Sequence, residues 1–542
     1  MRKATCSVLA TCLAAHLAAG MTNAPGSRKT AQKLFTLSGK CQACHNGMLS
    51  PSGQDVSMGV DWRASMMAHS AKDPYWQASV RRETLVHPSA AEHIQDECAA
   101  CHMPMARFKA HTAGRLGSVF KHLPLLPARN RSGQLAEDGV ACAMCHQIQN
   151  EGLGEPESFT AGFTVDTTTL PGRRPAFGPY ETDAGRQRIM RSSTDLVPTN
   201  GLHVQDSALC GSCHTLYTTT LNAKGEAVGE LPEQMPYLEW RHSAYSGTES
   251  CQSCHMPVME RDMPITSVIG QTRSNVSQHV FLGGNFFMLG LLSRNAADLS
   301  VTALPQDLSQ SIRRTRENLQ TASARIAIRR IERKASRLHA TVSVTNLTGH
   351  KLPTAYPSRR TWISFQVFNT NGAALFASGR LNPDGSIQGN DNDVDPGRHE
   401  PHYDEIDSAD EVQIYEAIMA DLDDNVTTVL LSAIRYIKDN RLLPVGFDKA
   451  TAHSDIAVQG PARTDDDFTG GNDSVRYSVD LSKASEGPLT VVTELWYQPI
   501  AFRWAKNLMQ QPSDEARRFV DYFEAESANT GIILARDKQI IE

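Results

Sequence analysis

The sequence has no surplus of basic residues, no apolar run long enough to cross a bilayer, and no cysteine left unexplained after its first twelve residues. Lys and Arg number 53 against 59 Asp and Glu, a formal charge of −6 over 542 residues. A nucleic-acid partner would call for a clustered basic excess, so that class is set aside. Met1-Arg2-Lys3 and then Ala4 to Ala19 without a charge form a basic n-region and an apolar h-region. The run is about sixteen residues, short of the roughly 18 to 20 that span a membrane. Residues 1–24 therefore read as a signal peptide, with small residues at Ala18, Gly20 and Ala24 offering cleavage points. The mature chain is expected to be periplasmic or extracellular and not to span a membrane. Thr11 before Cys12, after so short a run, argues against a lipoprotein signal.

The ten remaining cysteines fall into five copies of one pattern: Cys41-Gln-Ala-Cys44-His45, Cys98-Ala-Ala-Cys101-His102, Cys142-Ala-Met-Cys145-His146, Cys210-Gly-Ser-Cys213-His214 and Cys251-Gln-Ser-Cys254-His255. Cys-x-x-Cys-His is the attachment pattern of c-type haem. Two intervening residues bring both sulfurs to one side of a helical turn, where they can form thioethers with the two vinyl groups of one porphyrin. The next residue supplies a neutral imidazole as proximal iron ligand. A disulfide framework does not require histidine after every second cysteine, and zinc modules pair doublets with each other or with two spaced histidines. The expected cofactor is haem c, five groups per chain, all covalent. Haem of this kind is attached outside the cytoplasm in bacteria, in agreement with export.

At 542 residues the chain is too long for one ordinary core. From Thr30 to His255 the apolar periodicity is poor and the motifs lie 57, 44, 68 and 41 residues apart. Five porphyrins supply apolar mass themselves, so short helices and long loops are expected around them. Glu151 to Thr182 reads as loop. Pro104 and Pro257 follow motif histidines and stop those turns. After the last motif the pattern changes. Asn285 to Leu291 is mostly apolar, and Asp307 to Ser323 has helical spacing. Leu338, Ala340, Val342 and Val344 then alternate with polar residues, as do Ile363, Phe365 and Val367. Asn371-Gly372 is a hairpin signal. Further strands are expected at Val412 to Ala420, Val426 to Ile434, Val475 to Val479 and Leu489 to Tyr497, and an amphipathic helix capped by Ser513 closes the chain. The fold class is therefore α+β multidomain: residues 25–295 a mainly α or irregular pentahaem domain, 296–325 a helical linker, and 326–542 an all-β, sandwich-like domain with a C-terminal helix.

With its five motifs, Asp138-Gly139-Val140 before the third and Tyr237-Leu-Glu-Trp240 before the fifth, the first half resembles the secreted multihaem c-type cytochromes. It resembles the family of the tetrahaem cytochrome that accepts electrons from hydroxylamine oxidoreductase, with one haem more. Gly349-His350-Lys-Leu-Pro353-Thr354 with Arg359-Arg360 resembles a β-domain fused to such cytochromes. The resemblance implies electron transfer along closely packed haems between donor and acceptor proteins, and it names neither partner. A homo-oligomer is compatible with it.

Five irons need five distal ligands if all are six-coordinate. The candidates are His69, in an apolar setting; His93 and His203, shortly before motifs; His279, before Val-Phe-Leu-Gly-Gly; and His350, after a Thr-Gly turn from which the β-rich half could reach a haem. His111, His122 and His242 are held in reserve, and His339 and His453 are assigned to polar surfaces. Met103 and Met256 follow motif histidines too closely to reach the far side of their own haem and are read as packing residues. Bis-histidine ligation implies low potentials. The rival reading is an enzyme with one open haem that reduces or oxidises a small nitrogen or sulfur compound. The pentahaem nitrite reductases carry a lysine-ending motif at the active haem, whereas all five motifs here end in histidine. The acidic tract Asp391 to Glu411, with Pro396 where a calcium loop needs glycine, reads as a solvated loop.

Overall fold

The computed structural model describes residues 34–50, 52–125, 130–482 and 487–542; the expected signal peptide lies outside them. In the first half the helices are short because each is spent on one task. Pro74–Val86, capped by Asp73, whose carboxylate accepts from the Tyr75 and Trp76 amides, is buried on almost every side, polar Gln77, Arg82 and Glu83 included. Ala91–His102 carries the second motif at its last turn, and Pro104 starts the next helix, Pro104–His111, at the position where its missing N–H costs nothing. The third and fifth motifs are single helical turns, Cys142–Cys145 and Cys251–His255. Glu151 to Thr182 departs from the loop expectation: Arg174–Gly178 forms a strand parallel to Leu196–Asn200.

The helix expected near residue 307 spans Pro305–Ala322 and packs beside Phe286–Arg294. Beyond it lie two larger sheets. Ala324–Lys334, Arg337–Asn346, Asn472–Asp480 and Glu405–Ile406 make one, and Ala374–Ser378, Arg360–Phe368, Leu489–Gln498 and Ile532–Ile541 the other, with Ile414–Tyr415 on Arg360–Phe368. The alternating residues Leu338, Val342 and Val344 are fully buried, and the Phe365 ring stacks on Tyr477 from the other sheet at 4.0 Å. The run Val426 to Ile434 is not one strand: Val426–Thr427 leads into a turn at Leu430–Ser432, and pairing resumes at Arg435–Asp439.

The chain does not close on its amphipathic helix. Asp514–Ala525 is there, with the Ser513 hydroxyl accepting from the Ala516 amide, but the strand Ile532–Ile541 follows and completes the second sheet. The helix faces the first half, setting Phe519 against Tyr75 at 5.0 Å and Glu515 against Arg81 at 2.8 Å. One apolar core thus runs from Tyr75, Ile94 and Phe286 through Leu338 and Phe365 to Phe519. The acidic tract is also less solvated than its composition suggests, because buried Asp393 takes both guanidinium nitrogens of Arg360 at 2.8 and 2.9 Å. No helix among the described residues is long and apolar enough to cross a membrane.

Candidate functional site

All ten motif cysteines and all five motif histidines line one cavity of about 1160 Å³. Every one of these cysteines is free of disulfide bonds. Local geometry gives each motif its direction: the amides of His45, His146 and His214 donate to the carbonyls of Cys41, Cys142 and Cys210 at 2.9, 3.0 and 2.8 Å. That helical bond puts both sulfurs and the imidazole on one side of the turn.

Remote loops then fix the rings. His45 Nδ1 donates to the Ile265 carbonyl at 2.6 Å, His102 Nδ1 to Ser70 at 2.7 Å and His146 Nδ1 to Phe177 at 2.5 Å, and His255 Nδ1 donates to the Leu282 carbonyl. A carbonyl accepts only, so the proton sits on Nδ1 and the lone pair of Nε2 is left for a metal. Trp76 lies flat against His102, rings 4.3 Å apart and 1° from parallel.

Two motif histidines face a second imidazole. His146 and His279 have ring centroids 6.3 Å apart at 17°, and His255 and His350 are 6.2 Å apart at 16°. Rings this far apart and this nearly parallel are not in face contact. An imidazole nitrogen binds a metal at about 2.0 to 2.1 Å, which puts the centroids of two ligands on opposite sides of one ion about 6 Å apart. The second rings are anchored like the first, His279 Nδ1 to the Ser277 carbonyl at 3.2 Å and His350 Nδ1 to the Lys351 carbonyl at 2.9 Å. Burial pushes His102, His214, His279 and His350 down to about 4 and lowers His45 and His146 as well. At neutral pH these rings are uncharged, the form that binds a metal.

Of the five distal candidates, His279 and His350 lie on the cavity wall. His69 is 1% exposed with both ring nitrogens unpartnered, but it lies off that wall. His93 is exposed and borders a smaller cavity of about 410 Å³ beside Cys101. His203 donates Nε2–H to the Ile148 carbonyl at 2.9 Å. Of the reserves, His111 pairs with Asp96 at 2.7 Å and His242 donates to the Asp448 carbonyl at 3.0 Å. Met103 is fully buried. What sequence reasoning missed are the carbonyl clamps, for which no residue type is a signal, and the charged residues that position His350.

The motifs also lie near one another. The Cys41 and Cys142 thiols lie close enough to shift each other's pKa, as do those of Cys210 and Cys251, while Cys101 and Cys145 each feel the charge of Cys213. No protein-family model matches the chain, and no curated protein does. In structure it is similar to a penta-heme cytochrome c552 from Thermochromatium tepidum, with a TM-score of 0.50 over 94% of this chain and 100% of that one. At 15% sequence identity the likeness is one of fold.

Proposed function

We propose that the chain is an extracytoplasmic multihaem c-type cytochrome that carries electrons between redox proteins through five covalently held haems. The observation that carries the reading is the single cavity into which five Cys-x-x-Cys-His turns send ten sulfurs and five imidazoles. Haem, when bound, supplies reversible one-electron chemistry at its iron. The chain's own residues hold it: the paired cysteines as thioether donors, the motif histidines as proximal ligands, and His279 and His350 as distal ligands opposite His146 and His255. Methionine is placed at neither of those two positions, which favours low potentials. The fold likeness to a penta-heme cytochrome supports the same class.

The sulfur contacts support an order of sites. The first motif adjoins the third, the third the fourth and the fourth the fifth, with the second meeting the fourth through Cys101 and Cys213. Cys254 is the exposed member of the ten, so the fifth motif is the natural place for exchange with a partner. The test is spectroscopic: purified holoprotein should show low-spin haem at the third and fifth motifs.

A second reading has an observation of its own. Among the described residues His45, His102 and His214 form no comparable imidazole pair, so one of these haems could stay open to a small nitrogen or sulfur compound. A high-spin signal that shifts with nitrite or hydroxylamine would favour that enzyme, and an unresponsive spectrum favours the carrier.

A further inference from the structure

Away from the haem cavity, ionisable side chains converge a second time. Asp465, Asp467 and Asp473 each bring a carboxylate oxygen within 4.8 Å of the others, and Asp404 and His402 meet Asp465 within the same limit. Asp473 is wholly buried. Its Oδ2 accepts from the Tyr415 hydroxyl at 2.6 Å and from Gln413 Nε2 at 3.3 Å, but its Oδ1 has no hydrogen-bond partner and lies 3.9 Å from His402 Nε2. A buried carboxylate oxygen without a partner is costly, and more so in a residue with two further carboxylates beside it. The cationic side chains nearby do not resolve this. Lys449 Nζ donates to the Asp465 carbonyl oxygen at 2.5 Å, and Arg476 reaches Glu405 at 3.8 Å.

The hydrogen bonds of His402 decide the donor chemistry. Its Nδ1 accepts from Gln413 Nε2 at 2.8 Å and Asn440 Nδ2 at 3.1 Å. Both amide orientations are set from outside, since Gln413 Oε1 accepts from the Tyr403 amide and Asn440 Oδ1 from the Glu416 amide. The His402 proton is therefore on Nε2 and is donated to Asp465 Oδ2 at 2.9 Å. With Nε2 protonated, His402 offers no lone pair to a metal and instead orients Asp465.

We propose that Asp465, Asp467 and Asp473 bind one calcium ion through oxygen alone. Oxygens about 2.4 Å from one calcium lie at most about 4.8 Å apart, the spread found among Asp465, Asp467 and Asp473, and an all-carboxylate set selects hard cations over zinc. The ion ties residues 465–467 to the start of strand Asn472–Asp480. The same loop touches the haem half at its other end, where the Ala244 amide donates to the Val445 carbonyl at 2.8 Å and His242 to Asp448. Calcium would thus steady the segment that leads into the fifth motif.

The experiment uses intact holoprotein stripped with a chelator and titrated calorimetrically with calcium chloride, with bound metal counted by elemental analysis. One calcium per chain is expected, with a dissociation constant at or below about 1 mM, and Asp467→Asn, a change at an exposed residue, should weaken it at least about tenfold while leaving the haem spectrum unchanged. Asp473→Asn should abolish it. The proposal is overturned if no calcium is retained at that concentration, if Asp467→Asn binds as tightly as the parent, or if zinc is preferred and lost in His402→Ala.

Discussion

Lys351 Nζ lies 2.7 Å from Asp439 Oδ2, both side chains sealed from solvent, one residue beyond His350. Arg441 grips the same carboxylate at 2.8 and 2.7 Å and reaches Glu239 at 3.0 Å. Glu239 Oε2 in turn accepts from the Lys351 amide at 3.1 Å and the Thr354 hydroxyl at 2.5 Å. The helix before the fifth motif and the loop that carries His350 are thereby joined through one buried charge network, which holds the His350 ring opposite His255.

Removing one member leaves its partners charged and buried. Asp439→Asn is expected to cost about 3 to 5 kcal/mol, the usual penalty for breaking a buried pair from one side. Burial alone would raise the Asp439 carboxyl, but the Arg441 and Lys351 charges hold it well below the carboxylate range. A carboxyl depressed in the folded state stabilises above its unfolded pKa of about 3.9, and that stabilisation is lost as pH falls below it. The deficit of the variant in thermal melts should therefore be full at pH 7 and shrink in acid below about pH 4. A deficit that does not change with pH in that range would exclude this account.

His350→Ala removes the ring that faces His255. About one fifth of the haem absorbance should change from low to high spin, with the remaining haems little altered. His279→Ala should do the same independently, and the double variant should show both losses added, because the two pairs share no residue. A wholly low-spin spectrum in either single variant would show that the imidazole pairs are packing contacts.

Much of this was legible in the sequence because the signals are local. Cys-x-x-Cys-His specifies its own helical turn, and strand Arg337–Asn346 announces itself by burying every second residue. The Gly349-His350 turn and the Tyr237-Leu-Glu-Trp240 segment were each conspicuous, yet nothing in either says that Glu239 binds Thr354, since 115 residues separate them. Helix Pro74–Val86 was invisible for the opposite reason: it is buried nearly all round, so no apolar stripe marks it. Strand Ile532–Ile541 hid behind its charges, because only Ile532 and Leu534 are buried in the core and Arg536, Asp537 and Lys538 follow.

Haem content can be counted one motif at a time. Holoprotein should carry five haem masses under denaturing conditions, as expected from five complete motifs. Replacing Cys142 and Cys145 together by serine should leave four. Retention of all five in that variant would mean that attachment does not follow the motifs.

The contacts between motifs make a sharper demand on redox behaviour. Haems that lie close shift each other's apparent potentials, as coupled titrating sites do, and the shift weakens with distance. Cys142 lies near Cys41, and Cys145 near Cys213, so the third motif has the first and fourth as neighbours, while the fifth adjoins the fourth through Cys251 and Cys210. Losing His279 raises the potential of the third haem by removing a strong donor. In a potentiometric titration of His279→Ala followed by electron paramagnetic resonance, the first and fourth haems should move more than the fifth. His350→Ala should reverse the pattern, moving the fourth and sparing the first. Equal shifts at all sites, or a first haem that responds to His350→Ala more than the fourth does, would contradict the order read from the sulfur contacts.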